Sequence, residues 1–74
     1  MDKKFVIVNR HPKTGKVMWA VSNVKADGTF THCGAPFKQM KRWSSLQGVK
    51  IAFGRMLDGP DKNSAVVFEM IEIT

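Results

Sequence analysis

The stretch "RWSSLQGVKIAFGRML", residues 42 to 57, decides the fold because it satisfies two periodicities at once. Val49, Ile51 and Phe53 alternate with Lys50, Ala52 and Gly54, as in a half-buried strand. At about 100° per residue, however, Leu46, Val49, Ala52, Phe53, Met56 and Leu57 fall within about 140° of arc, leaving Gln47, Lys50, Gly54 and Arg55 outside. Only Ile51 is misplaced on that helix, whereas a strand fails at Arg55 and sends Ala52 and Met56 to the opposite face. A helix therefore accommodates more of the residues. Ser44 can serve as N-cap with Gln47 three positions on, a capping-box pattern, and "DGP" from Asp58 to Pro60 supplies a stop. Gly48 and Gly54 each cost a helix roughly 1 kcal/mol relative to Ala, so tertiary packing has to contribute the rest.

On the N-terminal side, "KFVIVNR" and "KVMWAVSN" are rich in β-branched and aromatic residues, and "HPKTG" separates them. Pro12 presets φ for a turn and Gly15 can take the left-handed position that closes a four-residue loop. That hairpin is expected to pair His11 with Lys16, Val8 with Trp19 and Val6 with Val21. One face then carries Val6, Val8, Val17, Trp19 and Val21, the other Phe5, Ile7, Met18 and Ala20. Asp27-Gly28 is a second turn signal, after which "TFTH" near 29–32 can add a short return strand. From Cys33 to Arg42, "GAP" reads as loop, while Phe37, Met40 and Trp43 fit one face of a short helical turn starting at Pro36.

On the C-terminal side, "SAVVFEMIEIT" reads as a strand, with Val67, Ile71 and Ile73 on one side and Val66, Phe68 and Met70 on the other. The expected fold is thus a small single α+β domain over residues 1–74: hairpin, helix, strand (ββαβ), with the last strand beside the first in an antiparallel sheet of order 2-1-3. One helix covers one sheet face, yet both faces are apolar. The second face calls for a folded-over loop bearing Phe30, Phe37 and Trp43, for a second copy in a homodimer, or for a partner protein.

Length and composition bound the function. A chain of 74 residues buries only about 60% of its unfolded surface or a little more, which argues against a deep private active-site cleft. Its 43% hydrophobic and 24% charged content is that of a globular protein. No apolar run exceeds five residues, so no membrane span is expected, and the four residues Phe5 to Val8 are too short for a signal core. Cys33 is the single cysteine, which excludes an internal disulfide. The expected location is the cytoplasm of the producing or of an infected cell.

Charge is the most informative remaining feature. Residues 1–57 carry a net +9 and residues 58–74 a net −3, giving +6 overall. Such a surface attracts polyanions or acidic protein surfaces. The candidate binding residues are Arg10, Lys13 and Lys16 around the first turn, Lys38, Lys41 and Arg42 before the helix, and Lys50 and Arg55 on its polar side. Trp43, beside Arg42 and Lys41, can stack on a base or grip a partner, although a Trp just before an N-cap also packs well on the helix start. Trp19, in mid-strand, is expected in the core.

No catalytic constellation emerges. His32 and Cys33 are adjacent on a strand, which sends them to opposite faces and prevents thiol–imidazole contact. His11 reads as an exposed turn residue. No CxxC or HxxxH spacing is present, so neither metal nor cofactor is expected. "PKTGK" lacks the upstream glycine of a phosphate loop, having Arg10 there, and has Val17 in place of its hydroxyl residue. Asp58 with Asp61 lies in a turn, and Glu69 with Glu72 has opposite strand parity, so neither pair makes a dry acid–base dyad. The chain reads as a non-enzymatic basic binding protein whose partner is nucleic acid or a protein that handles it. One alternative is an inhibitor or adaptor that binds an acidic host protein, a design shared in general terms with small phage-encoded proteins. Another is a small structural protein or enzyme subunit.

Overall fold

The computed structural model describes residues 3–73. Four strands, β1 (Lys4–Arg10), β2 (Val17–Val24), β3 (Phe30–Cys33) and β4 (Glu69–Ile73), form one sheet in the order β3-β2-β1-β4, antiparallel throughout. Between β3 and β4 lie the helix α1 (Leu46–Asp58) and a single turn of helix, α2 (Lys62–Ala65). The deciding stretch is therefore helical from Leu46 onward, the last strand lies beside the first, and "TFTH" extends into the edge strand β3. The α+β architecture is the one the hydrophobic patterning dictates.

The first hairpin keeps the expected His11–Lys16 closure and left-handed Gly15, and departs from the expected register beyond them. His11 N–H donates to the Lys16 carbonyl at 2.7 Å, and Gly15, at φ 73°, donates its N–H to the His11 carbonyl. Beyond this turn Arg10 pairs with Val17 but Asn9 pairs with Trp19, so Met18 is the extra residue of a β-bulge, and Val8 faces Ala20 rather than Trp19. A slip of one residue exchanges faces. Ala20 therefore joins Val6 and Val8, while Val21 joins Ile7.

A second bulge follows at Ser22, where β2 turns toward β3 and the Ser22 and Thr31 hydroxyls meet at 2.7 Å. The paired residues of β1 and β2 end at Val8 and Ala20. Beyond them residues 41–43 bond to both strands: Lys41 N–H donates to the Val21 carbonyl, and Phe5 and Trp43 exchange both backbone hydrogen bonds at 2.8 Å. This inserted segment satisfies backbone groups that the divergence of β2 leaves open.

Both sheet faces are covered within the chain. On one, Ile7, Val21, Val49, Met56, Ala65 and Phe68 form a buried cluster under α1 and the segment that follows it. On the other, Val6, Val8 and Ala20 are buried, with Phe37 and Met40 of the loop packed against them. The covering loop thus exists, but with different side chains: Phe30 and Trp43 pack on the helix side instead. The segment at Pro36 is a set of turns rather than a helix, with Phe37 at φ 62°, and it separates Trp43 from Phe37 and Met40. Val6 and Val8 are thereby buried within the chain, at 1% exposure each.

At the ends of α1 the N-cap is Ser45, not Ser44: its Oγ accepts from Gly48 N–H at 3.0 Å. With glycine at the third helical position there is no side chain to reach back, so only half of a capping box forms. Gly59 ends the helix and lies against Gly28 of the β2–β3 turn, where φ is 93°. A Cβ on Gly28 would fall 2.8 Å from the Gly59 Cα and also run into the Arg55 carbonyl oxygen. The helix end and the hairpin turn can approach this closely only because both positions are glycine. In the last segment, Val66 and Val67 precede β4 and are exposed, correcting the longer strand expected there, while Met70 faces the helix side and Ile71 and Ile73 the loop side.

Candidate binding surface

Arg10, Lys13, Lys16, Lys38, Lys41, Arg42, Lys50 and Arg55 are all exposed. The fold distributes them rather than gathering them into one patch. Arg10, Lys13 and Lys16 surround the β1–β2 turn, Lys38 lies in the loop that covers the second face, and Lys41 and Arg42 belong to the inserted segment. Lys50 and Arg55 are five positions apart on α1, about 140° around its axis, so they border its exposed side without adjoining.

Pairing β4 with β1 brings the acidic end of the chain back to the basic beginning. Arg10 Nε lies 3.2 Å from Glu69 Oε1, and Lys3 Nζ lies 3.4 Å from Glu72 Oε1. Each glutamate of the Glu69/Glu72 pair is thus held by a cation of its own, on opposite sheet faces. Both pairs are solvent-exposed and contribute about 0–1 kcal/mol each. Among the described residues no other ion pair forms, so Lys13, Lys16, Lys38, Lys41, Arg42, Lys50 and Arg55 keep uncompensated charge. Lys41 Nζ stands 5.7 Å from the centre of the Trp43 ring, and that ring is half-buried against the helix-side core.

The turns are fixed by side chains. His11 Nδ1 accepts from the N–H groups of Lys13 and Thr14 at 3.1 and 3.3 Å, which makes the imidazole a turn-capping group. Asp27 Oδ1 accepts from both the hydroxyl and the N–H of Thr29, and these hydrogen bonds, the hydroxyl first, hold its pKa below the ordinary carboxylate value. His32 and Cys33 point to opposite faces as expected: His32 joins rings on the helix side, and Cys33 packs toward Val6 and Val8. Among the described residues no three His, Cys, Asp or Glu side chains come together where they could hold a metal ion, and no helix is long and apolar enough to cross a membrane.

One feature was not legible in the sequence. Trp19, expected in the core, is 40% exposed. The bulge at Met18 moves it onto the helix side of the sheet, at the end that α1 does not reach. Its ring meets His32 edge-to-face, with centroids 4.9 Å apart, and His32 in turn lies 6.0 Å from Phe68. The one available signal was Gly34, which the Ala20–Cys33 pairing places opposite Trp19 and whose missing side chain leaves room for the indole.

In comparisons with family models, with curated proteins and with solved structures, the chain matches none.

Proposed function

We propose that this chain is a non-enzymatic binding module whose Lys/Arg-rich surface engages nucleic acid or a protein that handles it. The observation that carries this reading is the set of nine exposed cations without a carboxylate partner among the described residues, the seven above with Lys25 and Lys62, on a chain of net charge +6. A net charge of this size also keeps a small domain soluble, so the feature that favours a polyanionic partner is the uneven distribution, +9 over residues 1–57 against −3 over residues 58–74. The scattered placement favours contact with a flexible or extended polyanion over docking to one flat acidic patch. No catalytic residue, metal or cofactor is assigned.

A second reading, an inhibitor or adaptor for a host protein, draws on a different observation. Leu46 and Leu57 are 47% and 37% exposed and lie about 20° apart around the axis of α1, with Ile51 on its other flank and Val66 and Val67 exposed after α2. Exposed apolar side chains that share a helix with Lys50 and Arg55 offer the apolar centre and charged margin of a small protein-binding surface. The two readings separate on one pair of variants. Replacing Lys41, Arg42, Lys50 and Arg55 together by Gln should weaken nucleic-acid binding by at least tenfold, while Leu46→Ser with Leu57→Ser leaves it unchanged. If the serine pair abolishes capture of a partner that survives nuclease treatment and the glutamine set does not, the protein-binding reading replaces the first.

A further inference from the structure

We propose that Trp19, with His32 beside it, is a stacking site for an unpaired base of single-stranded nucleic acid; the inference rests on the nucleic-acid reading above and deepens it. An indole that is 40% exposed in mid-sheet leaves apolar area in water unless something covers it. Here its position is fixed without being covered. Gly34, directly after the end of the neighbouring strand β3, lies against it, and a Cβ there would come to 3.3 Å from Cζ3 and 3.7 Å from Cε3, so the six-membered ring leans over the glycine. The His32 ring, at 82° to the indole, supports it from the side. His32 is anchored in turn by Phe68, which is 8% exposed and packs edge-to-face on Phe30. The ring is thus held in place in the free protein, and a base that stacks on it immobilises few additional rotors.

The charge around this end of the face suits a polyanion. Lys16 is three residues from Trp19, about 10 Å along the strand, and with Lys13 it belongs to the exposed turn at the same end of the sheet. The two carboxylates of β4 are directed elsewhere: Glu69 pairs with Arg10 on the opposite face, and Glu72 pairs with Lys3 at the far end. Phosphates on the lysines and a base on the indole is the arrangement by which single strands bind without sequence preference. A duplex, whose bases are already stacked, offers the indole nothing comparable.

The test follows the indole Nε1–H resonances of the unmodified protein, with Trp19 distinguished from Trp43 through Trp19→Phe. A short oligothymidylate should shift the Trp19 signal in a saturable way, whereas inorganic polyphosphate, a polyanion without bases, should compete for binding without producing that shift. Trp19→Ala should weaken oligothymidylate binding by about 5- to 150-fold, the loss typical of one stacked base, and leave its salt dependence unchanged. Should that variant fail to fold, the resonance shift in the unmodified protein decides. Oligothymidylate that binds without moving the Trp19 signal, or polyphosphate that moves it equally, overturns the stacking site while the basic-surface reading stands. A Trp19 signal that responds to an acidic polypeptide and not to oligothymidylate overturns it as well. Absence of binding by every polyanion defeats both.

Discussion

Gly28 and Gly54 show how differently one residue type is used in this chain. Gly28 lies at φ 93° against the end of α1, with no room for a side chain, so Gly28→Ala should destabilise by well over about 1 kcal/mol and lower the thermal midpoint sharply. Gly54 has open space around it in mid-helix, and Gly54→Ala should stabilise by up to about 1 kcal/mol in chemical denaturation. The cap offers a similar contrast. Ser45→Ala should cost about 1 kcal/mol, because Gly48 N–H loses its acceptor, whereas Ser44→Ala should leave the denaturation midpoint unchanged. At Asp27 the two hydrogen bonds from Thr29 stabilise the ionised carboxylate. A carboxyl whose pKa is lower folded than unfolded adds stability above its unfolded pKa. That contribution disappears as pH falls through the folded value, below the ordinary Asp range. Thr29→Val should therefore raise the Asp27 pKa, read from its carboxyl carbon shift in an NMR titration.

For the elements, legibility followed the length of the hydrophobic pattern. α1 was readable because three turns of periodicity outweigh Ile51, and the structure exposes that residue. The centre of its buried stripe was not: Val49, Ala52 and Met56 are buried while Phe53 is half-buried at the edge, and Met56 belongs to the buried cluster that holds Ile7 and Val21. Met56→Ala should accordingly cost about 2–5 kcal/mol, and Phe53→Ala less, by urea denaturation. The strands were readable from β-branched content, but their register was not. The bulges at Met18 and Ser22 are set by how β2 meets two neighbours and the segment 41–43, contacts that no local window contains. The same cause hid the exposure of Trp19. Of the candidate surface, the exposure of every cation was legible from sequence. Their separation, and the pairing of Arg10 with Glu69, depended on strand order and on the covering loop.

At the scale of the whole molecule, both sheet faces have a core covered by the chain itself, and the outer surface carries charge together with the exposed apolar side chains of α1, β2 and residues 66–67. The uneven distribution along the sequence, net +9 then net −3, is only partly folded back on itself through the Lys3–Glu72 and Arg10–Glu69 pairs. What remains is a positive field spread over the turn, the loop and the helix. The most direct measurement of its purpose is the dependence of duplex DNA affinity on salt, compared between the unmodified protein and the variant with Lys41, Arg42, Lys50 and Arg55 changed to Gln. If those four side chains each neutralise a phosphate, they account for a slope of log affinity against log salt of about −3.6, and the variant should lose that share of the slope together with affinity. A slope that is the same in both proteins, or no detectable binding even at about 50 mM salt, where such contacts are strongest, would contradict it.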